Sequence, residues 1–509
     1  MFVALTEFIA RNAEWYPDKT AVIFEGRSLA WRELNEKANR VANYLQKAGI
    51  SKGDRVAILS PNCLEFPELM FGALKAGAII VPISTMLQKG TVCSELEDAE
   101  ARAVFAARPF LNLVSEYGGR CDRIVLGGRE DGWMEYPDCL RSAQPVEPGT
   151  VLMPEDPYNI VYSSGTTGTP KGIVHSQQAR VLFALTCGLE FRVHNETVSL
   201  ISTPLYTNGT QLMYLPTILI GGTVVLMSSF DPLAFLGLVQ SARCTHAFLV
   251  PTQFMRVMEH PRFGEFDTSS IEILLSAAAP LLMDTKAEIL RRFPVSRLVE
   301  LYGTTEGIST VLRPKEQSIK PGSVGKPRLG GDIKIISSDG RELPSGEPGE
   351  IVGSNFSMMT GYYKDPDRTS EALWHDSGGN PYIRTGDIGE LDEDGYLYIL
   401  DRKKDLIISG GINVFPSDIE QVLLKHPEVA EAAVIGTPDR EWGERPLALV
   451  IKKNVESAIS VEELKYWTNN QLAAYQRLVG VEFRDFLPRN DLGKVLKHEL
   501  RRAISDQSK

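Results

Sequence analysis

The stretch DRVAILSPNCLEFPELMFGALKAGAIIVPIS, Asp54 to Ser84, decides the fold. Asp54–Ser60 is a short apolar run bounded by polar residues, which reads as a strand. Cys63–Gly77 spaces its apolar residues as a helix does, and Ala78–Ser84 is a second strand rich in β-branched residues. Strand, helix and strand in succession make a βαβ unit, whose strands lie parallel under the crossing helix. LEDAEARAVFA and IVLGG continue the alternation downstream. Upstream, the N-terminal residues read as an amphipathic helix followed by a strand, with no basic region ahead of an apolar run, so no signal peptide is expected.

The rhythm resumes after Ser163, with strand candidates at Thr223–Ser229, Thr245–Pro251, Ile271–Ala278 and Arg297–Gly303. Ligands of open α/β sheets sit beyond the carboxyl ends of the strands, so unusual residues there are the first site candidates. From about residue 320 the texture changes to short runs split by turn pairs, Asp339-Gly340, Pro348-Gly349 and Asp394-Gly395, which predict a small β lobe. A charged cluster, Asp401–Asp405, then precedes a compact α+β segment of roughly 100 residues. The expected architecture is α/β. A large N-terminal domain, residues 1–403, holds parallel βαβ sheets and the β lobe, and a small mobile α+β domain follows at 404–509.

The chain has 509 residues, with 54 Lys plus Arg against 65 Asp plus Glu, a net charge of −11. That balance disfavours a nucleic-acid coat or a polybasic membrane anchor, since the overall field repels phosphate backbones and anionic lipids. Six cysteines are scattered singly with no CxxC pair, which indicates neither a zinc site nor a disulfide framework. The most apolar stretch, Leu212–Met227, is broken by Pro216 and Gly221-Gly222 and is too short to span a bilayer. A cytoplasmic protein is expected, with no transmembrane segment and no nucleic-acid partner.

The strongest local signal is YSSGTTGTPKG, Tyr162 to Gly172. Its glycines allow backbone amides to converge on an anion. Ser163, Ser164, Thr166, Thr167 and Thr169 add neutral donors, and Lys171 supplies a compact cation. Lys171 is followed by glycine, so this is no Walker A loop. A phosphate cradle and a plain surface loop both fit the composition.

YSSGTTGTPKG resembles the phosphate-binding loop of the adenylate-forming superfamily, which includes acyl-CoA synthetases, peptide-synthetase adenylation domains and beetle luciferase. Four further motifs follow in that family's order: LYGTTE (Leu301–Glu306), YIRTGD (Tyr382–Asp387), DRKKDLIISGG (Asp401–Gly411) and PRNDLGK (Pro488–Lys494). The resemblance runs over nearly the whole chain and is to the acyl-CoA synthetase branch.

It implies ATP, Mg²⁺ and CoA as ligands and assigns roles to residues at the matching positions. Ser163, Ser164, Gly165, Thr166, Thr167, Gly168 and Lys171 would hold phosphates, with Thr166 also counted among the catalytic residues. Glu306 would hold Mg²⁺, a hard ion that prefers oxygen. Tyr302 would stack near the adenine and Gly303 would meet the nucleotide, Ser276, Ala277, Ala278 and Ala279 would form the adenine-side wall, and Thr304 and Thr305 would face the nucleotide and the acyl carboxylate. Asp387 would accept from the ribose diol, as an acceptor-only carboxylate can, helped by Arg402. Lys494 would contact the carboxylate and α-phosphate during adenylation. The small domain would turn about Lys404 between steps, bringing Gly410 and Gly411 to the CoA thiol.

Tyr206, Thr207, Asn208 and Ser276 are the expected acyl-pocket residues. The segment Pro204–Gln211 holds no acid to meet a substrate ammonium, which disfavours an amino-acid substrate because a buried unpaired ammonium is costly. Thr207 departs from the family's usual His or aromatic residue. The expected substrate is a neutral-tailed acid, first a medium- or long-chain fatty acid, with an aryl or other small acid as the alternative. CoA is the expected acceptor, against a carrier-protein pantetheine, and a non-catalytic nucleotide or acyl sensor is the contrasting class. Monomer and homodimer both remain open.

Overall fold

The computed structural model describes residues 2–163, 171–294, 296–409, 412–439, 442–454, 457–491 and 493–507. The chain forms two compact units. The first is Met1–Pro321 with Pro327–Asp332 and Ser354–Leu373; the second is Gly322–Lys326, Ile333–Gly353 and Trp374–Lys509. The boundary expected after residue 403 falls inside the second unit.

The Asp54–Ser84 reading holds in the first unit. Strands Arg55–Leu59 and Ile79–Ile83 pair in parallel, Arg55 opposite Ile79 and Leu59 opposite Ile83, and are joined by helix Glu65–Lys75. That helix is apolar nearly all round, and residues 66–75 are all buried. Gly72 lets it lie against helix Trp31–Lys47, since a Cβ there would come within 2.4 Å of Val41 Cβ. The pair belongs to an eight-stranded sheet that also holds Ala103–Ala107, Asp122–Leu126 and the antiparallel strands Pro157–Ser163 and Lys171–Ser176.

A second, nine-stranded sheet of this unit contains Thr20–Phe24, Thr223–Leu226, Val198–Ile201, His246–Leu249, Ile273–Ala277 and Arg297–Gly303, in that spatial order and all parallel. Ser309–Leu312 turns back antiparallel on the last of them. Phe235, Phe254, Ile289 and Phe293 from the covering helices close the core over this sheet.

In the second unit, Pro381–Leu391 pairs antiparallel with Leu397–Arg402 across the turn predicted at Asp394-Gly395, and on its other side with Gly349–Asn355, a long-range pairing in which Gly349 opens the strand. A separate sheet is built on the hairpin Val429–Asp439 and Gly443–Lys452, covered by helices Pro416–Leu424 and Val461–Asn469, with Ile407, Ile419, Leu423, Val434, Val450 and Leu464 as core. All six cysteines are free thiols. Among the described residues, no helix is long and apolar enough to cross a membrane.

Candidate active site

In the first unit, the two strands flanking the glycine-rich loop pair so that Ser163 stands opposite Lys171 and Tyr162 opposite Gly172. Ser164, Gly165, Thr166, Thr167 and Gly168 lie outside the described residues. Lys171 directs its Nζ over the ring of Tyr362, 5.3 Å from the centroid. The Tyr362 hydroxyl donates to Glu306 Oε1 at 3.0 Å. Burial, and then the neighbouring Glu306 carboxylate, raise the Tyr362 pKa, so the phenol stays a donor. Tyr362 thus bridges the lysine at the end of the loop to the candidate metal-binding carboxylate. It sits in a two-residue strand, Gly361–Tyr362, paired with Ile173 and Val174, and sequence periodicity gives so short an element no signature.

Glu306 lies in a tight turn after strand Arg297–Gly303. Thr304 N donates to Ile308 O (3.1 Å), Gly307 N to Thr304 O (3.2 Å), and Met359 N to Glu306 O (2.8 Å). Gly307 has φ +112°, and a Cβ there would stand 2.4 Å from Ser357 O, so the turn admits only glycine. His175 adds a hold that the motifs do not reveal. It is 2% exposed, and its ring bonds Thr305 O through Nε2 (2.8 Å) and Arg180 Nη2 through Nδ1 (3.0 Å). A guanidinium can only donate, so Nδ1 is the acceptor and Nε2 carries the proton to Thr305. Burial and the adjacent Arg180 push the His175 pKa well below the ordinary imidazole value, keeping it neutral.

The strand ends next to this turn carry the expected adenine wall. Ser276 pairs with Glu300 and Ala277 with Leu301, while Tyr302 and Gly303 pair with Thr310 and Ser309. Ala278 follows in the left-handed region at φ +73°, a conformation that strains a non-glycine residue by roughly 1–2 kcal/mol. Ser276 Oγ and Thr304 Oγ1 are buried without hydrogen-bond partners among the described residues. Such orphaned polar atoms at strand ends fit a polar ligand.

Tyr206, Thr207 and Asn208 precede helix Gln211–Leu219. The Thr207 hydroxyl turns inward to its own loop, donating to Pro204 O (2.9 Å) and meeting Thr210 Oγ1 (2.8 Å). Beside the loop is a small cavity lined in part by Phe66, Tyr158, Arg180, Tyr206, Asn208 and Gln211. Its volume of about 30 Å³ gives room for roughly two water molecules.

In the second unit four expected residues come together. Asp387 and Arg402 face each other across paired strands, and Arg402 Nε reaches Asp387 Oδ1 at 3.2 Å, with Asp387 only 5% exposed. Lys404 lies in the turn closed by Asp405 N to Arg402 O (2.9 Å) and Leu406 N to Arg402 O (3.0 Å). Lys494 sits on a turn held by Asn490 N to Lys494 O (2.9 Å) and Lys494 N to Asn490 Oδ1 (2.9 Å). Its ammonium is within electrostatic reach of Arg402, Asp387, Asp405 and Lys404. Burial, then Arg402, lower the Lys494 pKa to about 8, with Asp387 and Asp405 opposing. Arg501 fixes Asp405 at 2.6 Å. Gly410 and Gly411 lie outside the described residues.

The cation at Lys494 is therefore present below pH 8 and lost as pH rises through that value. If Lys494 serves adenylation, kcat/KM for acyl-AMP formation falls above pH 8 with a log slope approaching −1. The residual activity of a Lys494→Arg variant lacks that limb, because arginine does not titrate there. A profile flat to pH 9.5, or an equal fall in the arginine variant, contradicts the assignment.

Among the described residues, no group of three or more His, Cys, Asp or Glu side chains could cage a metal. A lone carboxylate such as Glu306 fits Mg²⁺, which keeps several waters and binds through one or two carboxylates plus phosphates.

Residues 9–363 match the AMP-binding enzyme family, and residues 418–494 match the AMP-binding enzyme C-terminal domain. The chain belongs to the AMP-binding enzyme family. Within it the chain falls in the acyl-CoA synthetase branch. It is 35% identical over 498 residues to a feruloyl-CoA synthase from Amycolatopsis, covering 97% of this chain and 98% of that one. It is 33% identical over 485 residues to the long-chain-fatty-acid–CoA ligase FadD13 of Mycobacterium tuberculosis, covering 94% and 93%. The structure of ATP-bound MatB from Rhodopseudomonas palustris matches with a TM-score of 0.89 at 30% identity, over the whole of both chains. The C-terminal match ends on Lys494, and Asp387, Arg402 and Lys404 fall between the two matched segments.

Proposed function

We propose that this AMP-binding enzyme is an ATP-dependent acid–thiol ligase. It joins a carboxylic acid to AMP with release of pyrophosphate, then passes the acyl group to the thiol of CoA. The observation that carries the reading is the cluster of Lys494, Asp387, Arg402 and Lys404 in one unit, from three separate motifs.

In the first step an oxygen of the acid attacks the α-phosphorus, the bond to the bridging oxygen breaks, and pyrophosphate leaves. Lys494 faces the charge that builds on the α-phosphate and the incoming carboxylate. Asp387, held by Arg402, accepts from the ribose hydroxyls and sets the nucleotide's register. Ser163 and Lys171 flank the loop that cradles the phosphates, and Tyr302, Ala277 and Ala278 border the adenine. Glu306 would hold Mg²⁺, which when bound neutralises charge on the triphosphate. In the second step the CoA sulfur attacks the acyl carbon and AMP leaves. A turn about Lys404 withdraws Lys494 between the steps and brings Gly410 and Gly411 to the thiol. No protein nucleophile is needed.

For the acid, we propose a short or aryl acid over a long fatty chain. The cavity beside Tyr206–Asn208, lined in part by Tyr158, Arg180 and Gln211, has a volume of only about 30 Å³. A space that small suits a short or single-ring acid better than a long alkyl chain. Thioester formation from Mg-ATP, CoA and single acids tests this. Cinnamic and benzoic acids are expected to exceed decanoic and palmitic acids about tenfold or more in kcat/KM. A preference for decanoate overturns the acid class, and product only with a phosphopantetheinyl carrier protein overturns the acceptor.

A further inference from the structure

Arg180, in the first turn of helix Gln177–Glu190, has no role in the chemistry above. It is 3% exposed. Its Nε donates to Asn159 Oδ1 (3.1 Å) and its Nη2 to His175 Nδ1 (3.0 Å), and its guanidinium lies over the rings of Tyr158 (5.9 Å) and Phe183 (5.4 Å). Asn159 and His175 stand opposite each other on the two strands that flank the glycine-rich loop, so one buried guanidinium ties both. Burial lowers its pKa only to about 10, so it remains a cation at neutral pH. A buried charge is costly and is ordinarily met by an acid. Here it meets an imidazole, and that choice places the ring's proton.

A guanidinium has no lone pair to offer, so His175 Nδ1 accepts and the one proton of the neutral ring stays on Nε2. The positive charge of Arg180 also opposes a second proton. A carboxylate in its place would draw the proton to Nδ1 and set the Nε2 lone pair against Thr305 O. Arg180 thus makes His175 an obligatory donor to that carbonyl, at 2.8 Å.

Gly307 N donates to Thr304 O, so Thr304–Gly307 is a four-residue turn whose central peptide joins Thr305 to Glu306. Types I and II of such a turn differ by a half-rotation of that peptide. Thr305 O accepts from His175 alone among the described residues, and Glu306 N makes no hydrogen bond to a described residue. Glu306 stays out of the left-handed region, which sets the coarse orientation of the peptide, and the bond to His175 sets its tilt. Carbonyl and N–H point in opposite directions across a trans peptide, so Glu306 N–H points away from His175. Next to this peptide are the Glu306 carboxylate and the Thr304 hydroxyl, which is buried with no partner among the described residues. We propose that His175 is a positioning residue for adenylation: through Thr305 O it fixes the Thr305–Glu306 peptide, and with it the Glu306 carboxylate and the Thr304 hydroxyl, for the triphosphate, while Arg180 holds the ring in its one useful tautomer. The inference rests on the acid–thiol ligase reading and adds to it two residues that act through the turn.

His175→Asn and His175→Gln separate positioning from packing. The Asn amide ends at the level of Nδ1, so it accepts from Arg180 but cannot reach Thr305 O. The Gln amide reaches the level of Nε2, so it donates to Thr305 O but leaves Arg180 Nη2 unmet. Each variant strands one buried group, so the two melting temperatures should fall by similar amounts. Acid-dependent exchange of pyrophosphate into ATP should fall about tenfold or more in His175→Asn, through kcat, and stay within about threefold of wild type in His175→Gln. Thioester formation from supplied acyl-AMP, which uses no triphosphate, should be nearly unchanged in both. Nitrogen-15 NMR of the wild-type ring should show the proton on Nε2 and none on Nδ1 at neutral pH. Equal loss of exchange in the two variants, loss of both half-reactions together in His175→Asn, or a proton on Nδ1 overturns the positioning role alone. Cleavage of ATP to ADP by the wild-type enzyme overturns the ligase reading and takes the inference with it.

Discussion

Lys494→Ala is expected to lower acyl-AMP formation about 10²–10³-fold while leaving thioester formation from supplied acyl-AMP nearly unchanged. The first half-reaction concentrates negative charge where the carboxylate meets the α-phosphate, and Lys494 is the proposed cation there. Its neighbours fit that use. Arg402 and burial depress its pKa, while Asp387 and Asp405 keep the ammonium from being lost at neutral pH. The second half-reaction starts from an anhydride already formed and builds charge at the acyl carbon instead. Acid-dependent exchange of labelled pyrophosphate into ATP reports the first step, and AMP release from synthetic acyl-AMP plus CoA reports the second. Equal loss of both would remove Lys494 from its assigned role.

Glu306→Gln should be nearly as damaging, by another route. Adenylation is expected to fall about 10²-fold or more, and the Mg²⁺ concentration for half-maximal rate to rise about tenfold. The amide can still accept from the Tyr362 hydroxyl through its oxygen, so the turn between Gly303 and Ile308 survives and the melting temperature should stay close to wild type. What is lost is the negative charge. An unaltered Mg²⁺ titration in this variant would mean that Glu306 anchors Tyr362 and holds no ion.

The contrast between what the sequence revealed and what it hid has a physical basis. Apolar spacing placed the Asp54–Ser84 elements within about two residues of their observed bounds, because each is buried along its length. Asp387 and Arg402 were legible as motif residues, but their ion pair comes from strand register, which turn positions alone do not set. His175 and Arg180 were missed. His175 holds a carbonyl 130 residues away, and a buried polar side chain interrupting an apolar run has no periodic signature. Tyr362 was missed for the same reason, as its importance lies in joining Lys171 to Glu306 across long loops. Arg180 was not anticipated near the acyl loop because only the folded chain brings helix Gln177–Glu190 against the loop at Tyr206.

The central claim is that acyl-AMP is an obligatory intermediate between the acid and the thioester. A single-turnover experiment with Mg-ATP and the acid that the enzyme turns over best, quenched and read by mass spectrometry, tests it most directly. Without CoA, acyl-AMP and pyrophosphate should accumulate together on the enzyme; on adding CoA, acyl-AMP should decay as acyl-CoA and AMP appear at the same rate. Formation of ADP and phosphate, or of acyl-CoA with no acyl-AMP preceding it, would contradict the account.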